Sequence, residues 1–194
     1  MPVIIAGKRK GAKLLVPEGE GVRPTLNRVR EALFSILYSE FGTFEDCCVL
    51  DPFAGAGMLG LEAWSRGAAH VDMMEISKPH FDILKKNIAK LQAAAEVHAC
   101  LGQSPQDWHH FAGRKYDLVL CDPPYASGLM PQTLQTLVSG HYLRSGAIIT
   151  VELNAADNLE IPQELEIIKT RKYGKCQLVL IQQRADSSPQ NESL

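Results

Sequence analysis

The chain has little that could staple or anchor it. Its five cysteines, at 47, 48, 100, 121 and 176, form no C-x-x-C pair, and its six histidines make no H-x-x-x-H arrangement, so a metal site of the usual zinc spacing is not expected. The cysteines sit in or beside apolar runs, where a free thiol behaves as a small hydrophobe. No apolar run approaches the roughly 18 residues that a membrane-spanning helix needs. The start, MPVIIAGKRKG, reaches charge at Lys8 after too short an apolar stretch for a secretory signal. A cytoplasmic protein with no membrane contact is expected. Internal repeats are lacking, and the polar end ADSSPQNESL (185–194) is expected to be a disordered tail.

What is present is an ordinary globular composition, 45% hydrophobic and 22% charged over 194 residues, long enough for one core without disulfides. The net charge of −2 is unevenly spread. Lys8, Arg9, Lys10, Lys13, Arg23, Arg28 and Arg30 face only Glu18 and Glu20 in the first 30 residues, giving +5 there and −7 over the remainder. A basic arm on an acidic body points to local anion binding; a solvated hairpin is the alternative.

Val3 to Ile5 and Lys13 to Pro17 flank the turn GKRKG and predict a small β-hairpin with its bases at the tip (arm, 1–22). Val29, Leu33, Ile36 and Leu37 recur at helical spacing behind Thr25, a suitable N-cap. From Cys48 onward, continuous apolar runs alternate with helical patterns: strands at 48–50, 70–74, 97–101, 116–121 and 147–153, helices at 58–66, after Ser77, and at 131–138. This predicts an α/β doubly wound, Rossmann-like sheet, mostly parallel and covered on both faces, over residues 23–184. Leu165 to Lys172 and Cys176 to Gln182 read as a closing hairpin, which makes one C-terminal strand antiparallel.

The first strand of that sheet runs into DPFAGAGMLG (51–60), a G-x-G-x-x-G between strand and helix. Glycines there let a ligand approach the backbone at a helix N-terminus, and Glu75 closes the second strand, where a carboxylate can hold ribose hydroxyls. Together these indicate a nucleoside-containing ligand. Asp51 selects among such ligands, because an acid beside the loop repels a pyrophosphate and suits the sulfonium and ammonium of S-adenosylmethionine. In the bland alternative, Asp51 and Glu75 merely cap a turn and a helix. Gln103, after the third strand, is the expected contact for an adenine edge.

The fourth strand ends in Cys121-Asp122-Pro123-Pro124-Tyr125. Ligands of open α/β sheets bind beyond the strand carboxyl ends, so Asp122 would face the same crevice as Asp51. An exocyclic aromatic amine is a poor nucleophile until acceptors hold both its N–H bonds. The Asp122 carboxylate and the Pro123 carbonyl can be those acceptors, with the two prolines keeping the carbonyl in place, and Tyr125 can stack a flipped base. A rigid turn is the alternative for this stretch in isolation.

DPFAGAG with DPPY resembles the class I S-adenosylmethionine-dependent methyltransferases acting on base amino nitrogens. More narrowly, IIAGKRKGAKL (4–14), RPTLNRVREALFSIL (23–37), LDPFAGAGMLGLEAWSRGA (50–68) and DLVLCDPPY (117–125) resemble the RsmD family, whose members methylate a guanine N2 amine in 16S ribosomal RNA. The resemblance implies a seven-stranded sheet with its last strand antiparallel, and S-adenosyl-L-methionine as cofactor, held by Asp51, Phe53, Gly55, Gly57, Glu75, Ile76, Gln103 and Ser104. It implies a target amine at Asp122, Pro123, Pro124 and Tyr125, and an RNA entrance bordered by Lys8, Arg9, Lys10, Lys13, Arg23, Thr25, Arg28 and Arg30. The implied partner is 16S rRNA in a small-subunit (30S) particle or assembly intermediate, approached by a monomer. An adenine N6-methyltransferase and a catalytically silent RNA-binding assembly factor are the competing readings.

Overall fold

The computed structural model describes residues 1–18, 24–124 and 128–184, the side chains of 24–26 excepted. The expectations placed on Arg23, Tyr125, the Thr25 side chain and the tail lie outside the described residues. Helix α1 (Pro24–Phe41) precedes alternating strands and helices: β1 (Cys48–Asp51), α2 (Met58–Ser65), β2 (His70–Glu75), α3 (Lys78–Leu91), β3 (Val97–Leu101), β4 (Tyr116–Cys121), α4 (Leu129–Ser139) and β5 (Leu143–Asn154). The hairpin β6 (Leu165–Tyr173) and β7 (Cys176–Gln183) closes the domain. Strand order is β3-β2-β1-β4-β5-β7-β6, with β7 antiparallel to both of its neighbours. The expected doubly wound sheet is thus present. Among the described residues no helix is long and apolar enough to cross a membrane.

The continuous apolar runs arise because both sheet faces are covered. Val49, Leu118, Leu120 and Ile148 pack into one core with α1, α2 and α3, while Leu50, Val119, Ile149 and Val151 pack into the other with α4. The alternation along each strand therefore sorts residues between two interiors rather than between core and water.

Three expectations need correction. Helix α1 begins at Pro24, whose fixed φ and missing N–H suit a first helical position, so Thr25 is inside the helix rather than its cap. Strand β5 begins at Leu143 instead of Ala147 because Arg144, Ser145 and Gly146 pass through a register shift that polar residues disguise. The amino-terminal hairpin has a single regular bridge, Val3 to Lys13, supplemented by Ile4 N–H to Ala12 and Leu14 N–H to Pro2.

That hairpin lies along α2. The Glu62 carboxylate, buried in α2, accepts the Ile5 and Ala6 N–H groups at 2.8 and 3.1 Å. Gly7 has φ +81° and sits so close to the Ser65 carbonyl that a Cβ would come within 1.8 Å of its oxygen, which only glycine permits. The second arm is held by buried Asn87, which accepts from Leu15 N–H and donates to the Leu15 and Ala56 carbonyls.

Candidate active site at the strand carboxyl ends

Asp51, Asp122 and Glu152 lie near the carboxyl ends of three adjacent strands: Asp51 is the last residue of β1, Asp122 follows β4, and Glu152 stands two residues before the end of β5. Val49 pairs with Leu118 and Cys121 with Val151, so Asp122 and Glu152 are the next neighbours across the sheet. Period 2 puts all three acids on the face that carries Val49, Leu120 and Ile148. They line one cavity of about 280 Å³, together with Arg30, Gly55 and His80. A second cavity, of about 340 Å³, adjoins it through shared Phe53, Gly55 and His80, and is lined further by Glu75, Ile76, Gln103 and Ser104.

Each residue of the glycine loop has a distinct role. Gly55, at φ +54°, has open space where a side chain would be and lines both cavities. Gly57 faces neither: its φ is +89° and a Cβ would meet Leu84 at 2.5 Å. Here the absence of a side chain serves packing between α2 and α3. Gly60 lets Met73 and the Asp51 carboxylate approach, and its N–H donates to Asp51 Oδ2 at 2.9 Å.

Glu75 accepts from Gly55 N–H at 2.7 Å and Ser77 N–H at 2.6 Å, which aims the carboxylate into the second cavity with lone pairs remaining. Ile76 is 63% exposed beside it, an apolar side chain at a cavity mouth where an aromatic base would cover it. Gln103 is exposed at the same cavity, its N–H anchored by Asp107. Ser104 lines the wall, but its hydroxyl donates to the Pro52 carbonyl at 2.7 Å and accepts Trp108 Nε1–H at 3.0 Å. Ser104 therefore latches the third strand's loop to the glycine loop.

The first cavity is electrostatically divided. Asp51 is 1% exposed and burial raises its pKa to about 7, against the N–H groups of Gly60 and Phe53 that lower it. Asp122 opens to solvent through the crevice, yet surrounding protein, then Glu152 and then Asp51 push its carboxyl well above the ordinary carboxylate range. Arg30 lines the same cavity, only 6% exposed and donating to the Val3 carbonyl at 2.5 Å. Asp51 Oδ1 and Arg30 Nε are both buried without a partner among the described residues. An acceptor and a donor left open in one cavity fit a zwitterionic amino-acid group, its ammonium on Asp51 and its carboxylate on Arg30. With the ribose-type acceptor Glu75 next door, the residues present fit S-adenosylmethionine.

The basic residues are distributed differently from expectation. Arg30 is not an RNA-facing surface base but a buried tie between α1 and the hairpin. Arg28 is exposed one position from Asn27, which lines the crevice. Pro2 and Val16, at the hairpin base, also line the crevice. The tip is elsewhere: Lys8 and Arg9 bind Ser65 through their backbone N–H groups, and the Lys8 ammonium lies 4.1 Å from the Trp64 ring centre and 3.9 Å from Glu96. Lys8, Arg9 and Lys10 thus sit at the carboxyl end of α2, whose amino end faces the crevice, and do not border its entrance. Lys13 is exposed on the return arm.

Sequence reasoning missed Glu152, Glu62 and Asn87. Only Glu152 left a local signal, an acid between Val151 and Leu153 in an apolar strand. It also missed that His70, Asp72 and His98 converge at the amino ends of β2 and β3. There the oxygens of Asp72 are taken by Arg114 and by the Tyr116 hydroxyl, which donates at 2.7 Å, so the group is an internally satisfied charge network.

A parallel sheet reversed at β1 and β4, a glycine loop, a ribose acceptor and an acid-Pro-Pro strand end define a class I S-adenosylmethionine-dependent methyltransferase. Residues 3–182 match the family described as conserved hypothetical protein 95, and the chain belongs to this family, the RsmD family of the resemblance above. A ribosomal RNA small subunit methyltransferase D from Haemophilus influenzae is 36% identical over 178 residues, covering 88% of each chain. The protein of that name from Escherichia coli is 35% identical over 184 residues, covering 94% of this chain and 90% of its own. A solved putative methyltransferase from Escherichia coli superposes with a TM-score of 0.80 at 32% identity, covering 94% of this chain and 98% of its own.

Proposed function

We propose that the protein methylates the exocyclic N2 amine of a guanine in 16S ribosomal RNA. The observation that carries this reading is Asp122, placed at the mouth of the cofactor cavity with the Pro123 carbonyl beside it on a proline-stiffened backbone. The relatives named above supply the RNA. S-adenosylmethionine, when bound, provides an electrophilic methyl group on a sulfonium. Asp122 and the Pro123 carbonyl accept the two amine hydrogens and turn the nitrogen lone pair out of conjugation with the ring. Asp122 then stabilises the positive charge that develops on nitrogen and stands where it can accept the proton that the methylated amine sheds. Asp51 and Arg30 hold the amino-acid end of the cofactor, and Glu75 its ribose.

The substrate form that suits this surface is a small-subunit particle or assembly intermediate, met by a monomer in the cytoplasm. An extended RNA surface can reach the crevice and the basic tip together, although α2 separates them by about 12 Å. The test is transfer of label from the cofactor to small-subunit RNA, followed by nucleoside digestion. N2-methylguanosine is expected. N6-methyladenosine would transfer the assignment to the adenine reading, and cofactor binding without any transfer would leave a silent assembly factor.

A further inference from the structure

An amine that accepts methyl offers two hydrogens whether it belongs to guanine or adenine, so Asp122 and the Pro123 carbonyl alone do not tell the bases apart. The neighbouring ring nitrogen does. In guanine, N1 carries a hydrogen beside the N2 amine, whereas in adenine and in 2-aminopurine the N1 next to the amine is a bare acceptor. A group that reads this difference must be an acceptor placed next to Asp122.

Glu152 has that placement. The Cys121 to Val151 pairing makes it the cross-strand neighbour of Asp122 on the same sheet face, with strands about 4.8 Å apart. It lines the cavity that Asp122 lines. Side-by-side like charges disfavour the fold, so an acid kept beside Asp122 points to a role at this cavity, and the thiol of Cys176 on β7 is one of its contacts within the protein. A carboxylate offers about four lone-pair sites, so Glu152 can accept a substrate N–H in addition to the contacts it makes within the protein.

We propose that Glu152 accepts the N1–H of the target guanine while Asp122 and the Pro123 carbonyl accept its N2 hydrogens, which makes Glu152 a specificity-determining residue; the inference rests on the guanine reading above. The probe is small-subunit RNA assembled with a synthetic segment carrying either guanine or 2-aminopurine at the mapped position. 2-Aminopurine keeps the N2 amine and lacks only the O6 and N1–H features of guanine. The parent protein should prefer guanine by about 10- to 100-fold in kcat/KM, the range of one hydrogen bond to a charged group. Glu152→Gln, whose carboxamide can donate to a bare N1, should bring the two bases within about threefold of each other.

Two results would overturn the proposal while leaving the guanine reading intact: a parent that methylates 2-aminopurine as fast as guanine, or a folded Glu152→Gln protein that is slower on both bases at an unchanged ratio. The melting transition reports folding. Glu152→Asp, too short to reach the same N1–H, provides the ratio should the glutamine variant not fold, and an unchanged ratio there also overturns the proposal. Absence of N2-methylguanosine from the parent reaction would overturn the guanine reading and this inference with it.

Discussion

The two ends of the sheet are opposites. At the carboxyl ends, Asp51, Asp122 and Glu152 crowd one crevice that Arg30 also lines; at the amino ends, Lys8, Arg9 and Lys10 are laid on the carboxyl end of α2. The same short hairpin touches both, its base at the crevice and its tip a helix length away. Acid is collected where the proposed cationic ligand and amine would be held, at a cost in local repulsion that raised proton affinity or bound charge relieves. Base is collected on a hairpin whose backbone is fastened by the buried acceptors Glu62 and Ser65. On the function proposed above, this division would give chemistry to one end and RNA positioning to the other, and the two sides can be broken separately.

The largest effect belongs to the acidic end. Asp122→Ala removes one of the two acceptors of the target amine and should lower the methylation rate by about 10²- to 10³-fold, the range for deleting one preorganised electrostatic group. S-adenosylhomocysteine binding, read by thermal shift, should persist because Asp51, Gly55 and Glu75 are untouched. An unaffected rate would remove Asp122 from the chemistry. At the other end, Glu62→Ala strips the acceptor from Ile5 N–H, Ala6 N–H and the Arg66 guanidinium. Leaving these donors unmet should lower stability by about 3 kcal/mol, seen as an earlier urea midpoint. An unchanged midpoint would mean that the hairpin is not fastened at its tip.

Much of the fold was legible because it is local. Parallel strands buried on both faces read as apolar runs, and DPFAGAG and CDPPY mark two strand ends within a few residues each. The direction of the hairpin was not legible, because it depends on partners 57 and 72 residues away, Glu62 and Asn87, which look like ordinary polar positions on a helix. Basic residues at a turn say that a tip is charged and nothing about which end of the sheet it covers. Gly57 and Gly60 read as ligand-facing by motif, yet serve packing against Leu84 and Met73. Arg30 looked like a surface base because its burial requires the hairpin to fold back over α1.

A smaller effect separates ligand charge from packing at Asp51. Its pKa rises from 3.8 to about 7 in the folded protein, so between those values the folded state holds a proton that the unfolded chain has released. By linkage, the unliganded protein loses stability as pH climbs through that window. Binding a ligand ammonium needs the ionised acid, so affinity for S-adenosylhomocysteine should rise as pH passes about 7. Asp51→Asn should weaken binding about 10- to 100-fold and flatten that rise; a parallel pH profile in the variant would give the titration to another group.

The smallest effect lies at the basic tip, where the comparison is most exposed to refutation. Replacing Lys8, Arg9 and Lys10 by alanine leaves the backbone bonds to Ser65 available, since these use N–H groups rather than side chains. Affinity for small-subunit RNA should fall, and the slope of log affinity against log salt should shrink by roughly one for each phosphate no longer neutralised. Because the tip is about 12 Å from the crevice along α2, the methylation rate at saturating RNA should match the parent. A fall in that saturated rate would bring the tip to the active site and abolish the division between the two ends. An unchanged salt slope would instead show that the tip carries charge without touching RNA, with the Lys8 contacts to Trp64 and Glu96 as its whole role.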